Sequence, residues 1–360
     1  MISSIVTPKR LTRETKPVTN ISRNIDVDIL KGLGIIFVIL GHMGSPLYGG
    51  DSILVYIYTF HMPLFFVVMG YLAVKITHTK FGEYARKKAK GLLIPYTLFF
   101  LFSFLWTNTV YPLGQGLDWF SFPFQWGDFV QAFFLSGGYL EKIPLGNFPL
   151  WFLPLCFATT LFFYGVVQIK DKRILVAATI IIALATIPIQ NVITGRPAWH
   201  INVLPAALFF MLVGYLYRLY GERLAKYGNS FLAIGLIVFG YVLSLGLGMG
   251  ASIAHVNTYS YFLCSLISIY GYYMLARESQ NKYLAYIGRN SLYFFSLHAL
   301  VLLELPALKI DQFFIGIGED GVIIYIIQLL SVLLLTTALV AMIRYAAKKL
   351  AGVAITLRTS

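Results

Sequence analysis

Three histidines, His42, His61 and His298, stand inside apolar runs of the sequence. Imidazole suits proton transfer near neutral pH, because its unperturbed pKa is about 6.5. An ionisable group at membrane depth is costly, so each of the three is a functional candidate by default. His42 lies eleven residues after Lys31, in a run that opens at Asp28. At about 100° per residue the two end about 20° beyond three full turns, on one helical face, with an axial separation of about 16 Å. A cation at the inner boundary could hold an anionic donor, and an imidazole deeper in could move the proton. A helix–helix hydrogen bond for His42 and a snorkelling Lys31 would use the same spacing. Gly32, Gly34 and Gly41 would let a neighbouring helix or a ligand approach closely.

The other two histidines come with their own neighbours. His61 is two residues before Pro63, which frees a backbone carbonyl and kinks a helix. Ser291 and His298 are seven apart and share a face. That placement suits a supporting or a structural role for His298. Arg86, Lys87, Lys88 and Lys90 form a basic cluster in the connection 75–90. The cluster would bind phosphates or anionic lipid, or simply hold this segment on the inner side. Trp151 opens an apolar run and would serve as an interfacial anchor or stack on a sugar ring. No Walker-type loop, HExxH, GxSxG or cysteine–histidine metal spacing is present. Bound metal and nucleotide hydrolysis therefore have no support in the sequence.

The elements that must carry these residues are membrane helices. The chain is 58% hydrophobic and only 12% charged, with a mean hydropathy of +0.75. A water-soluble chain of 360 residues could not hide so much apolar surface in one core. The spacing predicts an all-α polytopic fold with about ten spans, near 27–46, 53–74, 92–111, 149–168, 174–190, 201–219, 229–249, 258–276, 285–305 and 322–342. With this division, all 28 Lys and Arg except Lys142, Arg196 and Lys309 fall on one side, which makes both ends cytoplasmic. Residues 1–25 read as a basic cytoplasmic tail and not a cleaved signal, 26–345 as the membrane domain, and 346–360 as a second cytoplasmic tail. The outer connection 112–148 is aromatic-rich, and part of it is expected to lie along the membrane. Net charge is +13, but the cations sit in short loops between apolar runs, which speaks against a nucleic-acid partner and leaves lipid and anionic ligands. Cys156 and Cys264 lie in apolar runs and read as packing residues.

These segments together resemble the membrane acyltransferase type 3 family, which includes bacterial O-acetyltransferases of surface polysaccharides. The likeness covers roughly 24–345. Asp28 to Gly32 is similar to the family's Asp-x-Leu-Arg-Gly opening, and Lys31 to His42 to its Arg/Lys-x10-His motif. Phe60-His-Met-Pro-Leu-Phe-Phe and Gly70 to Leu72 resemble the second-helix motif, and Lys87 to Tyr96 the basic lead into the third. Leu150 to Leu153, Phe209 to Tyr215 and Gly288 to His298 resemble later ones. The resemblance implies about ten helices in the bacterial inner membrane. It also implies acyl transfer, with acetyl-CoA or another acyl-CoA as a cytoplasmic donor and no permanently bound cofactor. The implied acceptor is a sugar hydroxyl of a surface glycan or its lipid-linked precursor. By position, His42 takes the catalytic role and Lys31 the motif's basic role. Arg86, Lys87, Lys88 and Lys90 would lie near the CoA phosphates, with Asp28, His61, Trp151, Ser291 and His298 around the site. Lys31 stands where many members have Arg, which keeps the charge but loses the bidentate fork. Lys87-x-x-Lys90, or Arg86 alone, stands where many have Arg-x-x-Arg. The chain shows no appended extracellular domain, so the membrane unit is expected to complete the transfer. A transporter of a glycan, lipid or acyl group is the rival reading, although intramembrane charge pairs for ion coupling are missing from the sequence. A scaffold in an envelope complex, with the histidines as packing residues, is a third.

Overall fold

The structure, a computed structural model, describes residues 24–43, 51–74, 76–107, 126–136, 147–195, 197–222, 228–248, 251–305 and 321–359. It is helical throughout, with no strand among these residues beyond one isolated bridge between Ser252 and His255. In chain order the α-helices are α1 Ile25–Met43, α2 Asp51–Tyr71, α3 Phe81–Leu105, α4 Trp126–Gln131, α5 Phe152–Val166 and α6 Lys172–Val192. They continue with α7 Leu204–Leu216, α8 Ser230–Ser244, α9 Ser260–Glu278, α10 Lys282–Arg289, α11 Ser291–Glu304 and α12 Gly321–Thr359. Each of the ten predicted spans overlaps one of these segments. Six helical stretches are long and apolar enough to cross a membrane: Ser52–Tyr71, Phe81–Leu105, Pro149–Val166, Lys172–Val192, Ala198–Gly221 and Val322–Lys349. The protein is therefore a multi-pass membrane protein. The first helix, α1, carries the charges Asp26, Asp28 and Lys31 in its first turns, and α8 and α11 are shorter apolar helices.

Local chemistry explains where several helices begin. Asn24 accepts from the amides of Asp26 and Val27, Asp171 from Arg173 and Ile174, Asn229 from Leu232, and Asn281 from Tyr283 and Leu284. Each such cap satisfies amides that a first turn leaves open. Two internal prolines leave carbonyls without their helical donors, and a neighbouring helix supplies the replacement. Pro63 frees Thr59 O, which accepts from Ser265 Oγ on α9 at 2.5 Å. Pro188 frees Leu184 O, which accepts from Tyr259 Oη at 2.9 Å.

The bundle has an inner group, in which α1 packs on α2, α9, α10 and α11, and α2 on α7. Ala198–Gly221 is mostly buried among its neighbours, whereas α6 and α12 are mostly exposed. The outer helices present Ile180, Ile181, Leu184, Leu330, Leu334 and Met342 outward, a surface suited to lipid. Two inner contacts are backbone to backbone. A Cβ on Gly32 would meet the Leu284 carbonyl, and one on Gly288 would meet Asp28 O, which locks α1 against α10. Gly70 faces Met211 O and Gly214 faces Val67 O, which does the same for α2 and α7. Only glycine permits such approach.

Some boundaries differ from expectation. The third span starts at Phe81, eleven residues before the predicted 92, so Arg86, Lys87, Lys88 and Lys90 are helical and not in a loop. Apolarity fixes the start too late there, because cations on a helix surface can point away while their backbone stays helical. The ninth span is two helices, α10 and α11, parted at Asn290, whose Oδ1 accepts from Arg344 Nη1. The last helix runs through the predicted tail to Thr359. Of the aromatic connection 112–148, residues 126–136 and 147–148 are described. Tyr96 donates to Phe133 O at 2.5 Å, and the Phe133 ring packs on Tyr96 and Phe100, so this piece rests on α3. Lys142, Arg196, Lys309 and the tail 1–23 lie outside the described residues.

Gly70→Ala is expected to cost about 1–3 kcal/mol through overpacking against Met211 O. Gly165→Ala, where nothing lies within 4 Å of the added carbon, should cost nothing comparable. Thermal midpoints of the purified protein in detergent compare the two.

Candidate active site

Near the C-terminal end of α1, His42 meets His298 of α11. Their rings lie nearly parallel, 9° apart in plane, with centroids at 5.0 Å. The protons can be placed from the partners. His298 Nδ1 lies 2.8 Å from Phe295 O and 3.2 Å from Phe294 O. A carbonyl only accepts, so Nδ1 carries the hydrogen and, in the neutral ring, Nε2 carries the lone pair. That Nε2 is 2.8 Å from His42 Nδ1, which must then donate. His42 keeps its lone pair on Nε2, the arrangement a general base or nucleophile needs. His61 follows the same pattern: Nδ1 donates to Ile57 O at 2.7 Å.

His42 and His61 line one cavity of about 160 Å³ together with Tyr58, Met62, Trp151 and Phe295. Tyr58 donates to Gly41 O at 3.0 Å and sets its ring edge-on to His61, centroids 5.1 Å apart. This contact ties α2 to α1 beside the dyad. Trp151 turns toward the site instead of serving only as an outer anchor. Its ring lies 4.6 Å from that of His200. Trp199 and His200 hold φ values of 53° and 52°, the left-handed region, which costs a residue with a side chain about 1–2 kcal/mol. Strain of this kind persists where the surroundings fix it, often at ligand sites.

The other end of the stripe holds Lys31. Its Nζ is 2.9 Å from Asp28 Oδ1, an ion pair one turn apart on α1. Lys31 lines a second cavity of about 280 Å³, with Leu92, Cys156, Ser291 and Phe295 among its walls. The fold therefore brings His42, His61 and Trp151 to one chamber, with His298 behind His42, and Lys31 and Ser291 to the other, with Asp28 paired to Lys31. It does not bring the basic cluster in. Arg86, Lys87 and Lys90 are exposed, and Lys88 lies with Nζ 5.4 Å from the Tyr84 ring centre. None of the four lines the Lys31 cavity, although Gly91 and Leu92, just beyond them, do.

Tyr58, Met62, His200, Ser252 and Phe295 were not among the candidates. Tyr58 precedes His61 by one helical turn and Phe295 precedes His298 by the same interval, so periodicity could have found both. Ser252 and His200 come from irregular segments that no periodicity connects to α1.

A bundle of apolar helices that encloses a histidine pair, with separate cavities beside His42 and Lys31, defines a multi-pass membrane protein. The family model described as "Acyltransferase domain", of the type 3 membrane acyltransferases, matches residues 24–345. The chain belongs to this family and is a membrane acyltransferase. No curated protein and no solved structure matches it significantly.

Lys31→Ala takes the cation from a carboxylate that is only 6% exposed and should cost up to about 3 kcal/mol. Adding Asp28→Asn should return most of that stability. A thermal-shift series over the two single variants and the double variant checks it.

Proposed function

We propose that this protein transfers an acetyl group from cytoplasmic acetyl-CoA to a sugar hydroxyl of a surface glycan or its lipid-linked precursor. In this reading the chain spans the bacterial inner membrane about ten times, with both ends inside. Family membership supports acyl transfer in general. The observation that carries the further step is a single one. His42, held by His298, lines one chamber, Lys31 lines another, and the two chambers share Phe295 as a wall residue. A substrate split between two compartments needs such an arrangement.

The donor enters at the Lys31 end, with its phosphates toward the cations of α1 and α3, and its thioester reaches His42. The acceptor hydroxyl gives its proton to His42 Nε2 as its oxygen attacks the thioester carbonyl. The tetrahedral adduct collapses, the C–S bond breaks, and the His42 imidazolium returns the proton to the departing CoA sulfur. His298 positions His42: as it accepts the His42 Nδ1 hydrogen, it fixes the tautomer and steadies the positive charge that develops. His61, Trp151 and Tyr58 shape the acceptor side, where the Trp151 indole offers an apolar face to a sugar ring. Ser291 lies beside the donor's path. The basic cluster Arg86, Lys87, Lys88 and Lys90 acts from the exposed face of α3, as a field at the entrance.

His42→Ala should lower transfer of labelled acetyl to glycan in membranes by about 10²-fold or more at unchanged protein abundance. His298→Ala should lower kcat with little change in KM for acetyl-CoA, and His298→Gln, whose side-chain oxygen can accept from His42, should recover part of the rate. Full transfer in His42→Ala would end the proposal. Movement of acceptor across proteoliposomes without release of CoA would replace it with a transporter.

A further inference from the structure

Of the side chains around the site, Phe295 lines both cavities, the one that holds His42 and the one that holds Lys31. On α11 it sits between Ser291, four residues before, and His298, three residues after, on the same face. Its ring is 4% exposed and packs against Phe152 at 5.2 Å, with the His298 ring at 6.0 Å. Phe152 lines the Lys31 cavity and is backed in turn by Phe65 and Phe66. The wall between the chambers is thus aromatic on the side where the helices bring α11, α5 and α2 together.

We propose that the Phe295 ring is the partition between the donor and histidine chambers and sets which acyl groups reach His42. The inference rests on the donor entering from the Lys31 end. The backbone of residue 295 cannot be the moving part, because its carbonyl holds His298 Nδ1. Rotation of the side chain opens the wall without disturbing the histidine pair. A short acyl group needs a small displacement of the ring, and each added methylene needs more. A closed ring also keeps water of one compartment from the other, so a thioester waiting beside Lys31 is protected from hydrolysis.

The test uses the full-length protein in liposomes, as wild type, Phe295→Ala and Phe295→Leu, with Leu keeping apolar bulk if Ala fails to fold. Rates are compared with acetyl-, propionyl- and butyryl-CoA. Preference for acetyl over butyryl should narrow by about tenfold or more in Phe295→Ala and by less in Phe295→Leu. An unchanged chain-length profile in a folded variant overturns the inference. A second readout needs no catalysis. Cys156 lines the Lys31 cavity, and in a Cys264→Ser background it is the chain's remaining thiol. A membrane-impermeant methanethiosulfonate should label it from one face in wild type and from both faces in the Phe295 variants. One-sided labelling throughout, or two-sided labelling in wild type, overturns the partition. If wild type transfers no acyl group from CoA, the proposed function fails, while the labelling still judges the wall.

Discussion

A helical carbonyl ordinarily accepts the amide four residues on, and it has a second lone pair to give. The Phe295 carbonyl gives one to the ring of His298, and this contact decides the rest of the site. With the hydrogen of His298 held on Nδ1, its Nε2 can only accept in the neutral ring. His42 must then present Nδ1–H to it, which leaves Nε2 as its basic nitrogen. The partner that orients His42 here is a neutral ring. A neutral partner of this kind leaves less charge buried in the membrane than an aspartate would, and burying charge is what the bilayer penalises most. The cost is weaker stabilisation of an imidazolium, which the short 2.8 Å contact between the rings partly offsets.

That geometry depends on α1 being held at a fixed height against its neighbours. The paired glycine contacts do this: Gly32 and Gly288 bring the α1 and α10 backbones together, and Gly70 and Gly214 do so for α2 and α7. In lipid, association of helices gains little from the hydrophobic effect, so close packing has to supply it. Backbone contact has little freedom to slide. It fixes the register of Lys31 and His42 relative to Ser291 and His298 as the two helix groups meet. The break at Asn290 belongs to the same arrangement, since it lets α10 press on α1 while α11 takes its own direction toward His42.

Periodicity and apolar runs made much of this legible in the sequence. The Lys31 to His42 stripe, the Ser291 to His298 face and the freed carbonyl before Pro63 all follow from 3.6-residue spacing, and each is present in the structure. What spacing within one helix cannot give is which helices face each other. Spacing alone therefore gives His298 only a supporting or structural place, whereas its ring is in direct contact with that of His42. The basic cluster does not gather at one cavity, for a different reason. Its residues were grouped by sequence proximity, but consecutive helical residues point around the whole circumference, so Arg86 and Lys87 face outward while Lys88 turns to Tyr84. The Trp199–His200 turn was invisible because left-handed backbone at large side chains has no compositional signature.

The Lys31–Asp28 pair bears on how an anionic donor would be held. A lone ammonium at 18% exposure would be expensive to bury, and the carboxylate beside it offsets part of that cost. A phosphate arriving from outside must then share Lys31 with Asp28 or draw it away, and either outcome weakens the attraction relative to an unpaired lysine. Lysine suits such sharing better than arginine, because its single ammonium has three rotatable donors and no fork to commit to one partner. The exposed cations on the first turns of α3 stand outside this competition. On the proposed function they would supply the long-range attraction, screened over about 8 Å at physiological salt, while Lys31 acts at contact range. On that reading a paired contact cation and a separate basic cluster would serve one donor: the cluster would raise the local concentration of the anion, and the paired lysine would orient it loosely enough for free CoA to leave.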